Sequence, residues 1–409
     1  MLRSYRNKSA ATIQHNELNE DAKDAKVKVS TYLLAIYLFT VPLDFVSVIG
    51  GLSFTRIFVI LPLIGYALEL KLAKIRFDKY MILLGLFTVM IGASYYYSYL
   101  PDITLGRFIT ISSSVALIIV TYMFSFNLRE LNILKKTIIY SGVFVMIIMI
   151  FFAEKEAYDF RWVLNLGGDT QDPNYINGYM FYTFIFYLSS YIDKRNTRIL
   201  LVMGMFTAIF LFTGSRGALL ALIVATLAYI ILWVRSQKNN LLVTSRFIVI
   251  SLSLLVIVLL ALTILPESIT IRYSIAFTVQ DGAANRFEIW TIALNIFSSS
   301  TSGEMLFGQG AGTFRVFTNI GNVAHNIWIE SLLEIGIFGT GLLFMLYYVT
   351  LRDALKMKEY VIAATFVGYM VMCLSMSLYS YKPIWNIILL TMLLHKYFIE
   401  QQNKHTTVK

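Results

Sequence analysis

Apolar runs of about 15 to 25 residues, separated by short polar breaks, recur along the chain from Ser30 nearly to its end. They fall near residues 30–49, 52–70, 80–98, 105–126, 136–153, 174–192, 199–213, 217–234, 247–265, 326–351, 360–379 and 383–399. A helix rises about 1.5 Å per residue and a bilayer's hydrocarbon core is about 30 Å thick, so roughly 20 apolar residues in a row can cross it with their backbone groups bonded inside the segment. The pattern predicts an all-α polytopic membrane protein of about 12 transmembrane helices. A soluble fold of this length would hide its apolar residues in cores separated by polar stretches.

Composition points the same way. Of 409 residues, 57% are hydrophobic and 14% charged, where an ordinary soluble chain is about 25% charged. The one cysteine, Cys373, lies inside an apolar run, so the chain can form neither an internal disulfide nor a cysteine-based metal site. Residues 1–29 mix six basic with four acidic side chains. That is too polar and too long for a signal-peptide n-region, and it reads as a solvated cytoplasmic tail. The net charge of +10 raises nucleic acid as a partner, but no basic stripe with interleaved aromatics marks a soluble face, and none is expected to bind.

Placement of the basic residues gives the orientation. Of the 34 Lys and Arg residues, 25 fall in the tails and alternate loops that are cytoplasmic when both termini lie inside, as retention of positive charge on that side requires. The other nine are Arg56, Arg107, Lys155, Arg161, Arg216, Arg272, Arg286, Arg315 and Lys382, all outside or near the outer surface. Seven of these nine are arginine, against nine of the 25 inner ones. Topology accepts lysine and arginine equally, whereas forked recognition of phosphate favours guanidinium. Either small numbers have drifted or a phosphorylated ligand binds outside.

The expected division is a cytoplasmic tail over 1–29, transmembrane helices 1–9 over 30–265, a large outer loop over 266–325, transmembrane helices 10–12 over 326–399, and a second cytoplasmic tail over 400–409. Within the large loop, NRFEIWTIALNIF (285–297) places Phe287, Trp290, Ala293, Leu294 and Phe297 at helical spacing before the glycine-rich GQGAGTF (308–314). This predicts a helical subdomain on the outer face with one helix lying on the membrane surface.

Several phrases could carry chemistry. In TGSRG (213–217), Ser215 and Arg216 sit in a glycine-flanked turn between two runs. The preceding run, 199–213, is about 22 Å long as a helix, short of the hydrocarbon thickness, so the arginine is either buried for a function or snorkels to headgroups. Arg286, beside Glu288, opens the surface helix, where a guanidinium near a helix N-terminus suits phosphate; the alternative is a solvated amphipathic face. His325 opens the run 326–351 and is the one histidine on the outer side. With an ordinary pKa near about 6.5 it is a general base, a hydrogen-bond partner for a sugar hydroxyl, or an interfacial histidine with no chemistry.

Glu330 and Glu334 follow on one helix face. They could pair with an arginine, orient an acceptor or relay protons, and a supporting role is favoured. Asp172 and Pro173 fit the cap and first residue of a helix, and Asn174 and Asn177 just beyond could bind sugar hydroxyls. No D-x-D phrase lies in the outer segments, and neither a Rossmann-type glycine fingerprint nor a P-loop occurs.

TGSRG between two runs, NRFEIWTIALNIF with GQGAGTF in the large loop, and HNIWIESLLEIGIFG (325–339) opening the next run resemble the O-antigen ligase and Wzy-type polymerase family, chiefly over 170–350 and in the same order. The resemblance implies a GT-C-like helical membrane fold in the bacterial plasma (inner) membrane, with the active site on the outer face. It implies glycan transfer from an undecaprenyl-pyrophosphate-linked oligosaccharide, without metal or other cofactor. Arg216 and Arg286 would hold the donor pyrophosphate, and His325 would activate or position the acceptor hydroxyl. Arg315, Asn326, Asp172, Asn174 and Glu330 complete the expected substrate-binding set. The bilayer, a chain-length regulator and a flippase are the expected partners.

Polymerase and ligase differ in acceptor, another lipid-linked glycan or lipid A core. The DPNY phrase and compact loops resemble O-unit and capsule polymerases, so polymerase is expected and ligase is the alternative. A transporter or flippase of lipid-linked sugars shares the twelve-span layout, but no repeat relates the halves and the largest loop is outside them. An intramembrane serine protease using Ser215 fits poorly, since Arg216 follows it directly and no G-x-S-G phrase is present.

Overall fold

Helices stand at eleven of the twelve apolar runs. The computed structural model describes residues 26–49, 52–69, 77–156, 161–166, 169–237, 263, 265–280, 282–317, 323–377 and 379–407. Nearly all of the run at 247–265, most of the tail over 1–29 and the loop at 70–76 lie outside these. In chain order come α1 (Val29–Thr40), a hairpin of β1 (Ser47–Ile49) and β2 (Leu52–Ser53), α2 (Phe54–Phe58), α3 (Ile60–Glu69), α4 (Lys79–Ala93), α5 (Pro101–Met123) and α6 (Leu128–Phe152). A three-stranded sheet of β3 (Ala153–Lys155), β4 (Trp162–Leu166) and β5 (Asp169–Gln171) precedes α7 (Pro173–Lys194), α8 (Thr197–Phe212) and α9 (Arg216–Ser236). Then follow α10 (Glu267–Thr270), α11 (Ile275–Gln280), α12 (Gly282–Ser299), α13 (Ser302–Phe307), α14 (Phe314–Phe317), α15 (Ile327–Lys356), α16 (Tyr360–Met372) and α17 (Lys382–Thr407).

The chain is an all-α multi-pass membrane protein. Five of the described helical stretches are long and apolar enough to cross a bilayer: Lys79–Tyr96, Pro101–Met123, Leu128–Phe152, Arg216–Ser236 and Ile327–Lys356. Their outward faces carry exposed apolar side chains such as Val89 (65%), Ile109 (58%) and Leu220 (55%), an arrangement that water penalises and lipid does not. Inward faces pack closely. Ala218, Ala221 and Ala225 of α9 are fully buried where that helix runs along α16, because small side chains let backbones approach where lipid supplies no hydrophobic drive.

Two of the expected spans depart locally, each for a physical cause. The run at 30–49 is helical only to Thr40, with a single tight turn over Val41–Leu43. There Pro42 offers no N–H, and Asp44 accepts from Ser53 and Thr55 and pairs with Lys382. The outer stretch after α6 is a sheet, with β4 antiparallel to both β3 and β5.

The run at 326–351 is not one helix. Gly336, with φ 67° and ψ −171°, breaks α15 into a short first segment and a longer second one. The carbonyls of Leu333 and Glu334 at that break accept the N–H groups of Gln309 (2.9 Å) and Gly310 (3.0 Å). The glycine-rich loop therefore supplies the hydrogen bonds that the helix gives up. Contact is backbone to backbone. A Cβ on Gly336 would stand 2.4 Å from Leu306, and one on Gly308 2.3 Å from the Glu334 carbonyl.

Gly336→Ala is expected to cost about 3 kcal/mol or more, from left-handed strain and overpacking together. Gly341→Ala, on the same helix with open space at its Cβ, should be neutral or slightly stabilising. Thermal unfolding of the two variants in detergent checks this, and equal midpoints would remove the argument.

Candidate functional site

The TGSRG turn is built by two helix ends. Thr213 closes α8, Gly214 turns with φ 61°, and Ser215 caps α9, its Oγ taking the Ala218 N–H at 3.2 Å. The Ser215 hydroxyl donates to Asn174 Oδ1. That bond ties the start of α9 to the start of α7, where Asp172 caps and Pro173 is the first helical residue. Asp172 Oδ1 in turn accepts the Asn174 N–H (2.7 Å) and its side-chain amide (2.8 Å). Asn177, fully buried one turn on, donates to Thr213 Oγ1 at 2.7 Å. The DPN phrase and the TGSRG turn are therefore one hydrogen-bonded unit.

Arg216, first residue of α9, reaches Thr278 Oγ1 of α11 at 2.9 Å. Arg161, just before β4, is held by Glu156 through Nε (2.8 Å) and a terminal nitrogen (2.7 Å). Trp162 beside it stacks on Phe212 of α8 at 4.5 Å. The stem of Arg161 crosses Gly214 so closely that a Cβ there would meet it at 3.0 Å, a second reason besides its φ for glycine at that place. Arg272 sits in the turn after α10, which Ile269, Leu265 and Leu211 anchor as a small apolar cluster, and Tyr273 fixes that turn by donating to the Leu211 carbonyl at 2.8 Å. Arg286 follows Asn285, whose φ is 60°. His325 has φ 49° and immediately precedes Asn326, the cap of α15.

These parts enclose one cavity of about 230 Å³. Arg216, Arg286, His325, Asp172 and Asn174, all named from the sequence, line it together, and Arg161 and Arg272 line it with them. The sequence had marked those two only as members of the outer arginine count. Arg315, Asn326 and Glu330 are not in the lining. Arg315 is exposed on α14. Asn326 caps α15, its Oδ1 accepting the N–H groups of Trp328 (3.0 Å) and Ile329 (3.3 Å). Glu330 is buried and takes the Ser377 hydroxyl.

Helices α7, α9 and α15 all begin at this cavity, so their partly positive N-terminal ends meet there beside four guanidinium groups. Such a place suits a compact anion rich in oxygen acceptors. Its volume is below the roughly 300–1,000 Å³ of pockets that enclose drug-sized ligands, and matches a head group rather than a whole glycolipid. Burial pushes the His325 imidazole below its ordinary value, and the charges of Arg286 and Arg315 push the same way while Asp172 opposes them. At neutral pH it is uncharged, able to accept a proton on one nitrogen. The Ser215 hydroxyl is engaged in the cap and with Asn174, which explains the residue without nucleophilic chemistry. Among the described residues no group of three or more His, Cys, Asp or Glu side chains is arranged to hold a metal ion.

Residues 200–345 match the model of a family described as O-antigen ligase, and the resemblance read from the sequence phrases is borne out over that stretch. The match takes in Arg216, Arg272, Arg286 and His325. Arg161, Asp172 and Asn174 fall before it. No curated protein matches the chain.

His325 should remain open to acylation by diethyl pyrocarbonate, which attacks neutral imidazole, as pH falls past about 6.5, the ordinary midpoint of the group. Removing a cationic neighbour raises a lowered imidazole pKa, so in Arg286→Gln the midpoint should move to higher pH. Site-resolved mass spectrometry across about pH 5 to 8 checks both, and a midpoint above about 6.5 in the unaltered protein would contradict the burial argument.

Proposed function

We propose that the protein polymerises surface polysaccharide, O-antigen or capsule, at the outer face of the bacterial plasma membrane. It does so as a GT-C-like glycosyltransferase of about 12 spans with both termini cytoplasmic and its helical loop subdomain outside. The donor is an undecaprenyl-pyrophosphate-linked oligosaccharide and the acceptor is a sugar hydroxyl of a second lipid-linked glycan. The observation that carries this reading is the meeting of Arg216, Arg286, Arg161 and Arg272 with His325 in one small cavity.

In the proposed reaction the acceptor oxygen attacks the anomeric carbon of the donor sugar while its proton passes to the free nitrogen of His325. The bond from that carbon to the phosphate oxygen breaks, and its electron pair leaves on the pyrophosphate. Attack opposite the leaving group inverts the anomeric centre. Charge grows on the departing phosphate, and guanidinium groups already fixed around it stabilise that change without reorganising, the usual source of the largest catalytic gains. Energy comes from the donor's own phosphate-linked sugar, so neither nucleotide sugar nor metal is required in this scheme. Asp172 and Asn174 sit where sugar hydroxyls adjoining the phosphate would lie, and exposed Arg315 contributes to the field that attracts an anionic donor.

Ligase activity, with lipid A core as acceptor, is the second reading, favoured by the description of the matching family. Donor chemistry is the same in both. Purified protein given a lipid-linked repeat alone should yield products of increasing length if it is a polymerase. A single glycan–core adduct, formed only when lipid A core is added, would make it a ligase. A transporter of lipid-linked sugar would instead move its substrate across liposomes after Arg216→Ala and His325→Ala.

Arg216→Lys is expected to lose about 10²-fold or more in kcat despite keeping the charge, because an ammonium cannot present the planar fork. His325→Ala should bind donor as before and lose transfer, seen by combining donor titration with a single-turnover assay. Full activity in Arg216→Lys would remove the forked-recognition argument. Loss of donor binding in His325→Ala would assign that residue to folding or binding instead.

A further inference from the structure

His325 occupies a backbone conformation that a side-chain-bearing residue adopts at a cost. Its φ of 49° is left-handed, a region that persists for non-glycine residues only when the surroundings over-determine it. The surroundings here are specific. The carbonyl of Ala324, one residue before, accepts the indole N–H of Trp290 at 2.8 Å. The N–H of Ala324 is taken by the Glu330 carboxylate, which the Ser377 hydroxyl also engages. Ala324 is fully buried, in one apolar cluster with Ile289 and Ala293 of α12, Phe314 and Leu333. Both backbone polar groups of the residue leading into His325 are thus tied to side chains of other residues.

One tie reaches back to the phosphate side of the cavity. Trp290 lies four residues after Arg286 on α12, so the two share a helix face. The same helix that carries a cavity arginine therefore holds the turn that carries the histidine. We infer that Trp290 and Glu330 are positioning residues for His325, fixing the imidazole relative to Arg286 through the two polar groups of Ala324. This rests on the reading of His325 as the proton acceptor. It gives Glu330, expected from the sequence to bind substrate, a different task.

Trp290→Phe keeps the aromatic body in its cluster and deletes only the indole N–H. It should lower kcat about 5- to 10-fold, the size of effect one net hydrogen bond can have, with affinity for the undecaprenyl-pyrophosphate-linked repeat unchanged and the thermal midpoint lowered by only a few degrees. The pH midpoint of His325 acylation should shift as the ring leaves its place between Arg286 and Asp172. Glu330→Gln keeps an oxygen for the Ala324 N–H and should lose no more than Trp290→Phe, whereas Glu330→Leu should lose about 100-fold, as an orphaned buried donor and a relaxed turn combine.

Unaltered kcat and acylation in Trp290→Phe would overturn the inference. So would a loss of donor affinity matching the loss of rate, or Glu330→Gln as damaging as Glu330→Leu. His325→Ala, measured alongside, separates the two levels. If it retains transfer, the proton-acceptor reading fails. If it abolishes transfer while Trp290→Phe is silent, only the positioning role fails.

Discussion

A protein whose solvent is lipid cannot leave backbone N–H and C=O groups open, and α15 breaks that rule at Gly336 only because another part of the chain restores it. Gln309 and Gly310 donate to the carbonyls of Leu333 and Glu334, so irregular backbone is tolerated where it is buried in protein rather than against hydrocarbon. The consequence is a short helix ahead of the break whose two carboxylates point to loops, not to lipid. Glu334 accepts the N–H of Phe314 at 3.1 Å and the hydroxyl of Tyr379. Glu330, one turn earlier, serves the turn at Ala324 and His325. Remove the break and both loops lose their anchor.

The cavity depends on a second economy. Helices α7, α9 and α15 begin there, and their capping residues, Asp172, Ser215 and Asn326, are short polar side chains that satisfy the first free N–H groups. Two of the three caps also line the cavity, so residues needed for local structure form part of its wall at no added structural cost. Gathering arginines in the same place opposes protonation of His325. A cluster of cationic side chains thereby favours the neutral imidazole, which is the form able to take a proton.

Much of this was legible in the chain. Apolar runs of spanning length gave the described helices outside the large loop, α1 to α9 and α15 to α17, since the length of such runs follows from bilayer thickness. The sequence phrases around Arg216, Arg286 and His325 led to residues that one cavity brings together, although more than a hundred positions separate the first from the last. Three things were not legible. Short strands such as Ala153–Lys155 and Trp162–Leu166 are too brief to show alternation against an apolar background. The break at Gly336 looks from sequence like one more glycine in a helix, because its cause is a loop that starts nearly thirty residues earlier. Arg161 and Arg272 belong to no phrase, and what brings them in is the stacking of Trp162 on Phe212 and the seating of Ile269, which are tertiary facts.

The left-handed residues tie these observations together. Gly214, Asn285 and His325 each have φ near 50° to 60°, and each either lines the cavity or adjoins a residue that does. Strain of this kind costs about 1–3 kcal/mol per residue and survives where neighbouring contacts over-determine it. Gly214 meets the demand by lacking a Cβ, and asparagine is among the side chains that tolerate the region best. Histidine is enriched there too, and at His325 the turn is held besides by the bonds of Trp290 and Glu330 to the carbonyl and N–H of Ala324. A histidine held in this way keeps its ring in one place, which is what the proposed role of its imidazole would need.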